Sequence, residues 1–184
     1  MNSKLFTPLI LICLSQPHFA NANDAKPTLS FGASSMAIVQ SVKYDNASTA
    51  DSTNTFAGLQ FLTSGNLTDN FQLQGSYYRL LYTDNSDVSV IGTSFKANLG
   101  QGFLSQGFKS YFSVGIFSES FDNGSQANRF NGLEVGAAMG YNLNSISLDY
   151  GFTVRDSSQY QRDTLYGDAD VITATGYVTL SAQY

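Results

Sequence analysis

The chain has 184 residues, 42% hydrophobic and 14% aromatic but only 12% charged, with a formal net charge of -5. That acidity excludes a nucleic-acid partner held by bulk electrostatics, and the apolar residues never gather into a run long enough for a helical membrane span. Cys13 and His18, the one cysteine and the one histidine, both fall within residues 1–22, so residues 23–184 hold no disulfide framework and no thiolate or imidazole chemistry.

Residues 1–22 read as a cleaved secretory signal. Lys4 precedes the apolar run "LFTPLILICL", and "HFANA" supplies Ala20 and Ala22 in the small-x-small arrangement that a signal peptidase cuts. The remainder, 23–184, suits a single domain.

From Thr28 onward, segments of period two alternate with turn-rich connectors. "TLSFGASSMAIVQ" (28–40) is the first expected strand. "TFAGLQFLT" follows, with Ala57, Leu59 and Phe61 on one face. "NFQLQGSYYRLLY" begins in register at Phe71 and Leu73, then loses its alternation over Tyr77 to Leu81, where a bulge is expected. "SVIGTSFKANL" sets Ile91, Phe95, Ala97 and Leu99 against Ser94, Lys96 and Asn98. "KSYFSVGIFSE" sets Phe112, Val114 and Ile116 against Lys109, Tyr111, Ser113 and Gly115. The sixth segment sets Leu133, Val135, Ala137, Met139 and Tyr141 against Gly132, Glu134, Gly136, Ala138 and Gly140. In the seventh, Ile146, Leu148, Tyr150, Phe152 and Val154 alternate with Ser147, Asp149, Gly151, Thr153 and Arg155. "YVTLSAQY" ends the chain with Val178, Leu180, Ala182 and Tyr184 on one face. Eight amphipathic strands predict an all-β fold, a closed antiparallel up-and-down transmembrane barrel.

The connectors alternate in kind. After odd strands come polar, acidic stretches, "YDNASTADSTN", "TDNSD", "SFDNGSQANR" and "DSSQYQRDTLYGDAD"; after even strands come "TSGNLTDN", "GQGFLSQG" and "NLNS". Long loops at one end and shorter turns at the other are the asymmetry of outer-membrane barrels. Acidic residues such as Asp45, Asp51, Asp84, Asp87, Asp168 and Asp170 then face outside the cell.

A soluble barrel would also alternate, so the chemistry of the polar face decides the sidedness. That face is rich in Gly, Ser, Thr and Asn; Gly115, Gly136, Gly140 and Gly151 would weaken exposed strands but make room in a narrow lumen for Tyr111 and Tyr177. The apolar face then meets lipid, with Phe61, Phe71, Phe108, Phe112, Tyr141, Tyr150 and Tyr184 in aromatic girdles.

In this architecture and in its aromatic-ended "YVTLSAQY", the chain resembles the small eight-stranded outer-membrane barrels of the OmpA/OmpX type. The resemblance implies that Val178, Leu180 and Tyr184 form an assembly signal read by the barrel-assembly machinery, and that outer-membrane lipid and lipopolysaccharide surround the protein.

Enzymatic activity is not expected, because no histidine stands ready to activate a serine or carboxylate; no cofactor is expected either. The oxygen-rich loop around Asp156, Asp163, Asp168 and Asp170 lacks EF-hand spacing and reads as solvated acidic surface rather than a metal site. By parity Lys96, Lys109, Glu134, Asp149 and Arg155 point inward, with Lys96, Lys109 and Asp149 toward the short-turn end and Arg155 near the outer mouth. Such charges must pair in a narrow lumen. The expected role is structural or surface-interacting, a rigid barrel presenting acidic loops to an unidentified extracellular partner; the alternative is a narrow or gated channel for ions or small solutes.

Overall fold

The computed structural model describes residues 28–44, 51–85, 87–122, 127–162 and 169–184. Residues 1–22, expected from the sequence to be a signal, and the acidic residues Asp45, Asp163 and Asp168 lie outside them. Eight strands run in chain order around one closed antiparallel barrel: β1 (Thr28–Tyr44), β2 (Ser52–Thr68), β3 (Phe71–Tyr82), β4 (Ser89–Gln101), β5 (Gly107–Asp122), β6 (Ala127–Leu143), β7 (Ile146–Arg155) and β8 (Ala169–Gln183). A short helix, α1 (Ser158–Arg162), stands between β7 and β8.

The seam is closed by β1 and β8, registered from Ser30↔Gln183 to Tyr44↔Ala169. It is extended by backbone bonds in both directions between Leu29 and Tyr184, 2.8 and 3.2 Å. Closure leaves no unpaired sheet edge within the hydrocarbon layer, the condition under which strands can cross a membrane. The connectors at one end span 45–51, 83–88, 123–126 and 156–168; those at the other span 69–70, 102–106 and 144–145. These are called the loop end and the turn end.

Several strands are longer than their alternation suggested. β1 continues to Tyr44 and β2 already begins at Ser52, so "YDNASTADSTN" is largely strand at its edges; β2 also absorbs most of "TSGNLTDN". No bulge interrupts Tyr77 to Leu81, whose register with β2 and β4 is continuous; the irregularity lies instead between Asn66 and Thr68. The alternation fades at 77–81 because both faces are apolar there: Tyr77 and Leu81 face outward, whereas Tyr78 and Leu80 are fully buried.

Outside, β6 shows the lipid-facing surface most plainly, with Leu133, Val135, Met139, Tyr141 and Leu143 all exposed. Residues 133–143 rise roughly 33 Å along the strand, or about 25 Å along the barrel axis at a tilt of ~40°, the height of the apolar band of an outer-membrane barrel. Phe31, Phe108, Tyr141 and Tyr184 ring its turn-end border, and Phe31 meets Tyr184 edge-on at 6.3 Å.

Above this band the pattern inverts. On β5 the outward residues become Ser118 and Ser120, and on β6 Arg129 and Asn131, while the inward residues become Phe117, Phe121 and Phe130. Ile38, Val42, Phe56, Leu80, Val90 and Val171 join them in one buried cluster. The polar lumen foreseen from the sequence therefore holds only in the lower part. The upper barrel is built like a water-soluble protein, polar outside and apolar inside, because water replaces lipid around it.

Candidate functional site

The lumen is filled at three levels. At the turn end the β4–β5 connector folds inward and Phe103 lies 1% exposed beneath Tyr111, ring centroids 5.2 Å apart. Asp69, in the β2–β3 turn, holds that connector by accepting hydrogen bonds from Leu104 N (2.9 Å), Ser105 N (3.0 Å) and Ser105 Oγ (2.9 Å). Asn142 Nδ2 donates to Gly102 O (2.7 Å) and Ser105 O (2.9 Å), and Asn66 Nδ2 to Phe103 O (3.2 Å). A buried amide relay continues around the wall, from Asn98 Nδ2 to Gln72 Oε1 and from Gln72 Nε2 to Asn66 Oδ1, each 2.6 Å.

Just above, Lys109 Nζ pairs with Asp149 Oδ2 at 2.9 Å and donates to Ser147 Oγ at 2.6 Å. Ser147 Oγ (3.1 Å) and Tyr111 Oη (3.5 Å) in turn donate to Asp149, so the carboxylate is compensated by one charge and two hydroxyls.

The middle level is an ionic network. Arg155 Nη1 contacts Glu119 Oε2 at 2.6 Å and Arg155 Nε contacts Glu134 Oε2 at 3.3 Å, while Lys96 Nζ approaches Glu134 Oε1 at 3.5 Å. The Arg155 and Glu119 side chains are 1% and 0% exposed. The guanidinium also lies over the rings of Phe117 (4.7 Å) and Tyr78 (5.1 Å), and the Lys96 ammonium over Tyr177 (5.3 Å), geometry that stabilises a cation out of water. Glu119 further accepts hydrogen bonds from Tyr78 Oη (2.7 Å) and from Tyr160 Oη. Two cations and two carboxylates thus cancel within one dry compartment, the arrangement that buried charge requires.

The geometry brings the five inward charges inferred from the sequence into two groups: Lys109 with Asp149, and Lys96 with Glu134 and Arg155. Lys96 belongs to the middle network rather than to the turn end. Glu119 was missed. Its parity matches Lys109 and Tyr111, which would have placed it inside, but it is the last residue of "KSYFSVGIFSE", directly before the polar connector "SFDNGSQANR". Tyr160 was missed because it lies in a loop, where strand parity says nothing.

Glycines make this packing possible at two places. A methyl group on Gly151 would overlap the Tyr177 phenol, and one on Gly92 would overlap the ring of Tyr78. The sequence reading grouped Gly151 with Gly115, Gly136 and Gly140 as room for Tyr111 and Tyr177; the register pairs Gly151 with Tyr177.

At the loop end the aromatic cluster closes the lumen. Phe56 meets Phe121 edge-on at 5.2 Å, Phe121 meets Phe130 edge-on at 5.3 Å, and the Tyr160 ring lies tilted against Phe130 at 4.5 Å. Burial, and then the Glu119 carboxylate, push the Tyr160 phenol well above its ordinary pKa, so it is a hydrogen-bond donor across the physiological range.

Val178, Leu180 and Tyr184 all face outward on β8. Asp51, Asp84, Asp87 and Asp170 are exposed at the loop end. Among the described residues, no three carboxylate, histidine or cysteine groups come together as metal ligands would.

No protein-family model and no curated protein matches the sequence. Solved structures do. Ail, the attachment invasion locus protein of Yersinia pestis, in complex with the heparin analogue sucrose octasulfate, matches with a TM-score of 0.52 at 13% identity, over 86% of this chain and 99% of that one. The outer membrane protein OprG of Pseudomonas aeruginosa matches with a TM-score of 0.51 at 12% identity, over 89% and 98%. At these identities the likeness is one of fold, and it agrees with the strand order, the closure and the apolar band: the chain has the fold of the small eight-stranded outer-membrane β-barrels of the OmpA/OmpX type.

Proposed function

We propose that the protein is an integral barrel of a bacterial outer membrane whose role is structural or surface-interacting, a rigid platform that carries a polar rim above the lipid. The observation that carries this reading is the inversion of the wall. Below, lipid-facing apolar residues surround a polar interior; above, polar outward residues surround an aromatic core that gives the protruding part its own rigidity. Export by a cleaved signal at 1–22, and recognition of Val178, Leu180 and Tyr184 by the assembly machinery, belong to the same proposal, as does contact of the outer belt with lipid and lipopolysaccharide.

A non-enzymatic role fits a lumen whose charged groups are paired with one another. The Yersinia protein was captured with a polysulfated sugar. Here the net charge of -5 and the exposed carboxylates at the loop end disfavour a polyanion and favour a neutral or cationic extracellular partner.

A gated channel is the second reading, favoured by one observation: Lys96 stands 3.5 Å from Glu134, close enough to pair yet loose enough to exchange. Planar-bilayer recording of the purified, heat-modifiable barrel separates the two. A silent barrel supports the platform, whereas discrete conductance steps that change in Lys96→Gln or Glu134→Gln would replace it with the channel.

A further inference from the structure

Among the described residues, no strand fills the wall between β6 and β8 above the apolar band. β7 ends at Arg155, registered with Glu134 and Thr173, whereas β6 continues up to Ala127 and β8 begins at Ala169. The slot between them is one strand wide, roughly 9.5 Å between the flanking strands, and α1, about 10 Å across as helices are, stands there instead of a strand. α1 and the residues leading into it meet the slot's edges through side chains. Gln159 Oε1 accepts from Asn131 N at 2.7 Å, and Ser157 Oγ accepts from Thr173 N at 3.2 Å.

From this helix Tyr160 enters the lumen and is 0% exposed. Its ring lies against Phe130 (4.5 Å), meets Phe121 edge-on (5.9 Å) and runs parallel to Phe117 (6.5 Å), and its hydroxyl donates to Glu119. Apolar walls with one well-placed polar group describe how a small aromatic ligand is held. The rings and carboxylate that receive it sit on rigid strands; Tyr160 itself is brought by a five-residue helix.

We propose that this chamber is a binding site for a small phenol, occupied in this structure by Tyr160 as a tethered occupant, and that α1 is an exchangeable lid over it. A free phenol that displaces the Tyr160 ring takes the same place among Phe117, Phe121 and Phe130, donates its hydroxyl to Glu119, and leaves α1 outside the wall. Tethering gives the occupant an effective concentration of millimolar order, so displacement needs a phenol well above its own dissociation constant. The inference stands apart from whether the barrel conducts.

The test uses p-cresol, with toluene as the ring that lacks a hydroxyl, on the full barrel in micelles. Tyr160→Ala empties a ring-shaped space. p-Cresol at about ten times its dissociation constant should raise the unfolding temperature of Tyr160→Ala by roughly 3 to 6 °C relative to its effect on the unaltered protein, and toluene by clearly less. No rise, or an equal rise with toluene, overturns the site. The chain has no tryptophan, so Ser158→Trp gives the lid a single reporter in a protein that keeps Tyr160. Saturable change of its emission on adding p-cresol, but not toluene, is expected; an unchanged spectrum up to the solubility limit overturns the lid. That second measurement decides the matter if Tyr160→Ala does not fold.

Discussion

Replacing Arg155 by methionine should test whether the middle of the lumen is held by charge balance. Arg155 contacts Glu119 at 2.6 Å and Glu134 at 3.3 Å, and no side chain of the three is more than 1% exposed. With charge centres about 4 Å apart, each contact is worth on the order of 4 kcal/mol at an effective dielectric of ~20, and desolvation of the three ions takes back much of it. Removing the guanidinium leaves Glu119 and Glu134 against Lys96 alone, one negative charge in excess in a dry compartment. A loss of about 3 to 5 kcal/mol follows, the usual cost of stranding one buried partner. The double variant Arg155→Met with Glu119→Gln restores neutrality, keeps one oxygen as acceptor where Glu119 offered two to Tyr78 and Tyr160, and should recover at least half of that loss. Urea unfolding in micelles, followed by gel mobility without boiling and by circular dichroism, measures all three proteins. If Arg155→Met lies within ~0.5 kcal/mol of the parent, which is surface-pair behaviour, or if the double variant is no more stable than the single, the reasoning about charge balance is wrong.

Other outcomes follow from the same structure. Val114→Arg, in the middle of the outward apolar run of β5, should cost about 2 to 4 kcal/mol of membrane folding stability, whereas Ser120→Arg, above the band, should cost ~0 to 1 kcal/mol; equal costs in vesicle refolding would remove the assigned border. Asp69→Ala deprives Leu104 N, Ser105 N and Ser105 Oγ of their acceptor. It should accelerate amide exchange at residues 104 and 105 and destabilise the barrel by about 1 to 3 kcal/mol, and unchanged exchange would show that other bonds seat the inward turn. Tyr160 has a folded pKa raised above its unfolded value, so its contribution is fully present below about pH 10 and is lost as pH rises past that point. Tyr160→Phe should therefore be less stable than the parent at pH 8, by about 1 to 3 kcal/mol, and should lose less on going to pH 11. Parallel alkaline losses in a denaturation series would assign the effect to other tyrosines.

Much of the fold was legible in the sequence because, where lipid lies outside and polar groups lie inside, a strand has no choice but to alternate. Leu148 and Asp149, or Val135 and Glu134, declare their faces without reference to any other strand. The same parity placed Lys96, Lys109, Glu134, Asp149 and Arg155 in the lumen. That Gly151 stands opposite Tyr177 came from the β7–β8 register, not from parity.

Partnership in the network was not legible, because it depends on the register of strands far apart in the chain. Glu119 and Arg155 are 36 residues apart and meet only because β5, β6 and β7 pair with the offsets that they do. The upper lumen was hidden for a different reason. Where the barrel leaves the membrane, water replaces lipid outside and apolar packing replaces polar filling inside, so the alternation that marks each face reverses sign; at the crossing, as in "YYRLL", both faces are apolar and periodicity carries no information. Tyr160 is the extreme case. Composition assigns its surroundings to a polar loop, and only the early end of β7, with a helix standing in the strand's place, turns that residue into the stopper of the barrel. The sequence by itself determined the strand count, the faces within the apolar band and the class of fold, since those are local consequences of which solvent each side meets. Tertiary structure alone decided which buried charges compensate one another and what closes the outer mouth, since both require groups from distant strands to arrive in one dry space.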